Sequence, residues 1–368
     1  MRRFAARELS MLVALAAIWA FFAWREPVFL SERNLSLLSI ELAVSAILAL
    51  GMLLVLLPGQ IDLSAGSGVG LTGAVAAVLV FAHGLPAPLA LVIALVAAVA
   101  IWAGMGALVA IERVPAFIIT LGGLLVFRGL HWLVIQNRTV PVVEGGGSNL
   151  YSLLTAYYLP GALVVVAAIA VQLRARRRRQ RLGIEAGDAE LALLKLVLLA
   201  QAVFVVVLIA NGFRGVPLAL VLLAAVALLV HLVTMHTPFG RYLYAIGGNE
   251  EAAAVSGVPV RATVIGAYAL MGAIVALTGF MQTAYSGAST TTVGSLMELD
   301  AVAACVIGGT SLRGGRGTVL GVLFGALIMA SLLNGMTLMA VSPEIKYIAR
   351  GTVLALAVWL DLRLGRDR

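Results

Sequence analysis

Few residues in this sequence have side chains suited to catalysis or to metal binding. The chain contains two lysines, Lys195 and Lys346, and neither lies in the G-x-x-x-x-G-K-[ST] pattern that cradles nucleotide phosphates. The segment 308–315 is rich in glycine but lacks lysine, which is typical of a tight turn. The single cysteine, Cys305, and the four histidines show no metal-binding spacing. No nucleophile elbow or paired-carboxylate motif occurs. We therefore expect no enzyme, no bound cofactor and no metal site.

A second set of polar residues lies within or beside apolar runs. Asp62 follows a Pro-Gly break, and its carboxylate either caps the next helix or lines a path beside an interrupted helix. Glu41 and Arg128 also fall in apolar runs, and we interpret them as ordinary residues that reach water near a span end. Ionisable groups inside a membrane often mark a solute pathway. The candidates for such a path are Asp62, Ser64, Glu298 and Asp300.

The most informative polar segment runs from residue 236 to 261. Within it, residues 251–257 read E-A-A-x-x-x-G. Asn249 is suited to cap a helix, the acidic residues after it favour the helix dipole, and Gly257 with Pro259 ends the helix. The pattern predicts a helix of about two turns, with a positive φ at Gly257. Spacing alone fits an ordinary surface helix as well as it fits a docking element.

These residues belong to a very apolar chain. Of 368 residues, 62% are hydrophobic and 11% are charged, and the mean hydropathy is +1.07. Soluble domains contain about 25% charged residues. Apolar runs near the length that spans a bilayer must form helices or a closed barrel, and the lack of strict alternation excludes the barrel. The sequence predicts an all-α polytopic membrane protein, with one membrane domain over residues 1–368 and no second, soluble core.

Apolar runs and the breakers between them predict about 12 spans. Small residues are dense in the third, tenth and eleventh spans and favour close helix contact. The first segment has the layout of a signal peptide but is interpreted as an uncleaved first span. The spans lie near 10–25, 35–57, 64–82, 87–110, 115–136, 154–173, 191–210, 216–235, 262–285, 296–309, 317–339 and 345–362.

The distribution of positive charge predicts the orientation of these spans. With the N-terminus inside, 17 Lys and Arg residues fall on the cytoplasmic side and 5 fall outside. Cytoplasmic loops retain positive charge during insertion, so both termini are expected in the cytoplasm. The net charge of +8 is therefore topogenic, and no nucleic acid is expected as a partner. The arginine cluster at 174–181 is interpreted in the same way, with lipid-headgroup or partner binding as the alternative.

Four blocks, in one order along the chain, resemble a known family. They are Gly59 to Ser67 (GQIDLSAGS), Pro115 to Gly122 (PAFIITLG), Gly240 to Asn249 (GRYLYAIGGN) and Glu298 to Ser311 (ELDAVAACVIGGTS). Together with E-A-A-x-x-x-G, they resemble the permease subunits of bacterial ATP-binding-cassette importers. The likeness is greatest to the sugar branch that contains the ribose and xylose subunits, and it extends from about residue 35 to the C-terminus.

The resemblance implies a ten-span core with a two-span insertion over residues 154–210, as in the xylose-type subgroup. It also implies a cytoplasmic coupling loop over residues 236–261 that docks on a separate ATPase. Further expected partners are an external sugar-binding protein, a second permease copy and membrane lipid, in the bacterial inner membrane. The residues expected to couple to the ATPase are Gly248, Asn249, Glu250, Glu251, Ala252, Ala253 and Gly257.

The resulting prediction is a permease that imports a monosaccharide, with xylose as the first expectation. ATP hydrolysis is expected on the partner ATPase. A self-contained secondary carrier or channel for a small polar solute is the alternative, and it would not require the E-A-A-x-x-x-G loop. A membrane enzyme has the least support among the residues.

Overall fold

The computed structural model describes residues 2–142, 150–160 and 212–366, and most of these residues are helical. A short 3-10 helix, Pro27–Leu30, joins the first two α-helices. The α-helices are α1 (Arg2–Arg25), α2 (Glu32–Leu56), α3 (Ala65–Phe81), α4 (Ala87–Ala110), α5 (Ala116–Val134), α6 (Leu150–Ala156), α7 (Leu218–His236), α8 (Pro238–Gly248), α9 (Glu250–Val255), α10 (Val260–Ser286), α11 (Met297–Ile307), α12 (Val319–Leu338) and α13 (Pro343–Arg366).

In the described ranges, four two-residue strands form two antiparallel pairs. β1 (Val140–Pro141) pairs with β4 (Ala288–Ser289), and β2 (Tyr158–Leu159) pairs with β3 (Val216–Pro217). Both pairs join segments that are distant in sequence. They fasten connections between helices and add no layer to the fold.

Within the described ranges, six helices are long and apolar enough to cross a membrane: α2, α4, α5, α7, α10 and α12. Helix α3 and the Met11–Arg25 part of α1 are shorter apolar helices. The chain is therefore a multi-pass helical membrane protein, as predicted. The number of about 12 spans and the cytoplasmic termini stay predictions. The predicted span at 191–210 lies outside the described residues, as does the part of span 154–173 beyond residue 160.

The start of the predicted span at 154–173 differs from a continuous helix. Helix α6 ends at Ala156, and β2 follows before Pro160. A residue before proline is disfavoured in the α-helical region, which explains the extended backbone. Because β2 pairs with β3, both ends of the intervening segment lie side by side.

Helix α11 is shorter than the tenth span that the sequence predicts at 296–309. Its 11 residues extend about 16 Å, about half of the hydrocarbon core. Helix α3 is also short, and both helices begin after non-helical segments. Their N-terminal ends meet, because a Cβ atom on Gly66 of α3 would overlap Glu298 of α11. The bundle therefore contains two helices that start at a shared polar junction.

Helix α10 lies at the centre of the bundle. It packs along α4 and also contacts α2 and α3, while α12 packs against α2 and α11. Most of the apolar stretch is buried in α2, α10 and α12, whereas α4, α5 and α7 expose most of theirs. The buried helices form the core, and the exposed faces are apolar because they face lipid.

Small residues bring these helices close together, as the sequence predicts. A Cβ atom on Gly279 of α10 would lie 2.6 Å from the carbonyl oxygen of Val69 and 2.9 Å from the nitrogen of Gly73, both in α3. Between α11 and α12, a Cβ atom on Gly325 would overlap the carbonyl oxygen of Ala304. Side chains larger than hydrogen would force these helices apart.

Replacing Gly279 with alanine should therefore destabilise the bundle by about 1–3 kcal/mol, because the added methyl group overpacks a backbone contact. Thermal unfolding of the detergent-purified chain measures this effect. Gly104→Ala is the matched control, because nothing lies within 4 Å of its Cβ position. An unchanged midpoint for Gly279→Ala would show that α3 and α10 are not in such close contact.

Candidate functional site

The segment between α7 and α10 consists of two short helices. The N-cap of α8 is Thr237, whose hydroxyl accepts a hydrogen bond from the Gly240 N–H at 3.2 Å. Pro238 occupies the first turn, where its missing N–H has no cost. Gly240, Leu243 and Ile246 form the buried face. These residues recur every three positions, so they lie on one face of α8, and this face packs against the bundle.

Helix α9 has a cap at each end. The side chain of Asn249 accepts a hydrogen bond from the Ala252 N–H at 2.9 Å. At the other end, Val258 N–H donates to the Ala253 carbonyl and Gly257 N–H donates to the Ala254 carbonyl, both at 3.0 Å. This pair of bonds is a Schellman motif, and the φ of +82° at Gly257 is the left-handed geometry it requires. The predicted short helix and its glycine stop are confirmed.

Helix α9 projects from the bundle. Ala253 is 5% exposed, whereas Val255 is 90% exposed. Glu250 and Glu251 are exposed in the first turn. The one ion pair within the described residues lies elsewhere, so neither glutamate is paired inside them. The surface of α9 therefore combines two carboxylates with an apolar side chain that nothing in the described chain covers.

Glycine contacts attach this segment to the bundle. A Cβ atom on Gly247, at the end of α8, would overlap the Leu57 carbonyl oxygen and the Gly315 nitrogen. The Gly315 N–H donates to the same Leu57 oxygen at 2.9 Å. Leu57 follows α2, and Gly315 belongs to the turn between α11 and α12. Three separate parts of the chain thus meet backbone to backbone directly before α9.

Tyr244 strengthens this attachment. Its hydroxyl donates to the Gly317 carbonyl at 2.8 Å, which ties α8 to the α11–α12 turn. Burial raises the pKa of the Tyr244 phenol, because the phenolate would lose hydration there. The phenol consequently stays protonated and keeps donating across the physiological pH range.

The polar junction between α2 and α3 is centred on Asp62. One carboxylate oxygen accepts from the Ser64 N–H at 2.8 Å and from the Ser64 hydroxyl at 2.6 Å. The other accepts from the indole N–H of Trp102 in α4 at 2.7 Å. Both Asp62 and Ser64 are fully buried. The N-cap of α3 is Ser64, with no side-chain capping bond, so Asp62 positions the start of α3 without capping it.

Glu298 lies on the other side of this junction. Its carboxylate covers Gly66 in the first turn of α3. It also lines a cavity of about 20 Å³ together with Arg128 and His131 of α5. That volume is about one water molecule. Arg128 donates to the Ser295 hydroxyl at 3.1 Å, so its head is held beside the junction.

Asp300 points away from the junction. Residues two apart on a helix face nearly opposite sides, so Asp300 and Glu298 contact different neighbours. The Asp300 carboxylate oxygen lies 3.2 Å from Nε of Arg350 in α13. The geometry is that of an ion pair without a well-formed hydrogen bond. The structure therefore brings Asp62, Ser64 and Glu298 together and separates Asp300 from them.

Comparison with known proteins places this arrangement in a family. The model of the branched-chain amino acid transport system / permease component family matches residues 34–358. The chain belongs to this permease family. Its members are transport components rather than enzymes. The matched region includes α9 with its two caps and the polar junction.

Several curated relatives are similar over nearly the whole chain. The xylose transport system permease protein of Escherichia coli K12 is 41% identical over 355 residues, which cover 95% of this chain and 90% of that protein. The Haemophilus influenzae protein of the same name is 40% identical over 358 residues, 95% of each chain. The ribose import permease protein of Escherichia coli K12 is 34% identical over 354 residues, 96% of this chain and 93% of that protein. No solved structure matches the chain.

Sequence reasoning missed the partners that position the site of this family member. Trp102 lies in an apolar run, and this pattern did not indicate that it binds Asp62. A buried indole N–H does need an acceptor, so this could have been the signal. The contact of Gly247 with Leu57 and Gly315 joins positions that are far apart in sequence. The sequence signals for close backbone approach were the Gly-Gly pairs at 247–248 and 314–315. The roles of the predicted coupling and path residues stay predictions.

Removing the Asn249 cap should loosen α9. Asn249→Ala loses the bond to the Ala252 N–H and should cost about 1 kcal/mol, so amide exchange of residues 250–258 should become about fivefold faster. Hydrogen–deuterium exchange with mass spectrometry measures this change. Asn249→Ser, which restores a capping oxygen, is the control. Equal exchange in the alanine and serine variants would contradict the capping role.

Proposed function

We propose that this chain is the membrane-spanning permease subunit of an ATP-driven importer for a monosaccharide, xylose or a related sugar. The observation that carries the proposal is α9, which is capped at both ends and stands clear of the bundle. Family membership and the names of the xylose and ribose permeases support the class of substrate. Specificity would reside largely in a separate sugar-binding protein on the outer face of the inner membrane.

The proposed energy source is a separate cytoplasmic ATPase. This sequence has no phosphate-binding loop, because neither lysine lies in the required pattern. Helix α9 would dock into a groove on the ATPase through its exposed face. The proposed coupling residues are Gly248, Asn249, Glu250, Glu251, Ala252, Ala253 and Gly257, of which Ala253 is buried and would support the exposed surface from beneath.

The contacts of α8 support a lever mechanism. Gly247 and Tyr244 attach α8 to the ends of α2 and α12, and α10 follows α9 after Pro259. Movement of the docked α9 would thus be transmitted to α2, α10 and α12, because the backbone contacts between them are rigid. These helices would then open the sugar path alternately to the two sides of the membrane.

We propose a role in that path for the polar junction. Asp62 and Ser64 have their hydrogen bonds satisfied by each other and by Trp102, so they would position the start of α3. Glu298 and Asp300 are 6% and 9% exposed and each lines a cavity, so they would approach the solute. A second permease copy would complete the path between two chains, surrounded by lipid.

The proposed topology has about 12 spans, including the insertion at 154–210, with both termini in the cytoplasm. The charge distribution and the even number of inserted spans support it. Reporter domains fused after residue 180 or residue 248 should therefore be cytoplasmic, and fusions after 144 or 289 should be external. Alkaline phosphatase and green fluorescent protein fusions measure this directly. Opposite locations for 180 and 248 would refute both the insertion and the coupling-loop assignment.

Changes in α9 should uncouple the ATPase. Glu251→Lys reverses a charge in the first turn, which opposes the helix dipole. Gly257→Ile places a β-branched residue at a φ of +82°, where its side chain is strained. Both variants should lose ATPase co-purification and sugar uptake by tenfold or more while inserting normally. Uptake into proteoliposomes and pull-down at equal expression measure these losses.

Two matched controls separate docking from general damage. Gly84→Ile creates the same strain at a φ of +68° with open space around it, far from α9 in sequence. Glu112→Lys reverses an exposed charge in the loop between α4 and α5. Both should bind the ATPase normally. If the α9 variants also bind and import normally, α9 is a surface helix only, and a self-contained carrier becomes the better interpretation.

A further inference from the structure

A second cavity lies next to the small cavity at the polar junction, because Val293, Gly294 and Ser295 line both of them and Asp300 lines the second. Its volume is about 350 Å³. Its walls come from α2, α10, α11, α12, α13 and the linker at 290–295. Ligand pockets begin at about 300 Å³, so there is room for one small ring. Hydroxyl side chains and one amide line much of the wall, beside an apolar side that includes Val44 and Leu333.

A partly buried hydrogen-bond network holds a carboxylate at the wall of this cavity. The Tyr285 hydroxyl donates to one oxygen of Glu41 at 2.8 Å, and the Asn334 amide donates to the other at 3.2 Å. Asn34 donates to the Asn334 side-chain oxygen at 3.0 Å and to the Phe29 carbonyl at 2.8 Å. The network dictates which way the Asn334 amide faces. Glu41 is therefore held in one orientation before any ligand arrives.

The remaining hydrogen-bonding capacity favours a neutral ligand that is rich in hydroxyl groups. A carboxylate has about four acceptor sites, and the described residues fill two of those on Glu41. Tyr285 uses its hydrogen on Glu41, so its oxygen is left as an acceptor. Arg350 contacts Asp300 through Nε, which leaves its terminal N–H groups as donors at the same cavity. Hydroxyl groups both donate and accept, so they satisfy both kinds of partner.

The charges at the cavity disfavour an anion, and they do not require a cation. Two carboxylates, Glu41 and Asp300, face one guanidinium, Arg350, so the net charge is negative and repels an anion. A cation is not required, because Tyr285 and Asn334 already donate to Glu41 and Arg350 neutralises Asp300. A small neutral polyol is the ligand class that remains.

The position of the cavity connects it to the coupling segment. Tyr285 and Ser286 lie in the last turn of α10, whose first turn follows α9. With 27 residues, α10 is about 40 Å long. The cavity and the proposed ATPase contact are therefore at opposite ends of one buried helix.

We propose that this cavity is a monosaccharide-binding site contained within each permease chain, in which Glu41, Tyr285 and Arg350 bind the hydroxyl groups of the sugar and Asn334 holds Glu41 in position. The choice of a sugar as ligand rests on the proposed function. The location of the site rests on the network and the cavity. Each chain of an assembly would hold its own sugar molecule.

Equilibrium binding of radiolabelled D-xylose to the full-length chain in lipid nanodiscs tests this proposal. The expected result is saturable binding of one sugar per chain. Glu41→Gln replaces an acceptor oxygen with a donor and should weaken binding at least tenfold. Ser286→Leu should also weaken binding at least tenfold by filling the cavity, and Ser286 is exposed, so this variant should fold. Glu32→Gln is the control, since Glu32 is exposed on the same helix outside the cavity.

The outcomes are distinguishable from failure of the proposed function. Wild-type binding by well-folded Glu41→Gln and Ser286→Leu variants would overturn the inference, as would one sugar per two chains. Absence of binding of D-xylose, D-ribose and L-arabinose by the wild-type chain would also overturn it. ATP-driven uptake with the ATPase and binding protein is measured separately. If the wild-type chain does not associate with the ATPase, the proposed function is refuted, whereas the sugar-binding result in nanodiscs still stands.

Discussion

A buried backbone without water must find its hydrogen-bond partners inside the protein, and this constraint organises the whole structure. Most of the described chain meets it with helices. The buried segment before α3 meets it with side chains from its neighbours. Asp62 accepts the Ser64 N–H, and Thr120 of α5 donates to the Ile61 carbonyl at 3.1 Å. The polar junction exists because α4 and α5 supply these partners, and it would be too costly to bury without them.

The same constraint explains why the segment of α8 and α9 is attached to the bundle through glycines. Where Gly247, Leu57 and Gly315 meet, the backbone of one segment supplies the partner for another. A contact of this kind has no side chain that could yield by changing rotamer. Displacement of α8 is therefore expected to move α2 and the α11–α12 turn with it. In the proposed function, mechanical coupling would follow from this close backbone packing, and α9 itself would need only to present a stable surface.

Helix α10 joins the two polar regions that have functional proposals. Its N-terminal end follows the capped α9, and its C-terminal end carries Tyr285 into the cavity with Glu41. Between these ends, contacts such as that of Gly279 with α3 hold it in the centre of the bundle. A helix that is buried on most sides can transmit a movement from one end to the other, because it cannot bend without disturbing close-packed neighbours.

The sequence by itself determined the features that depend on local chemistry or on composition. Hydropathy predicted the membrane helices, and Asn249 with Gly257 predicted the limits of α9, because capping and positive φ are properties of single residues. Tertiary structure alone decided the short length of α11 and the partners of Asp62 and Glu41. Asn334 lies 293 positions from Glu41, and Tyr285 lies 244 away. Periodicity reports which residues face inward, but it carries no information about which inward-facing groups meet, since that depends on how the helices pack in three dimensions.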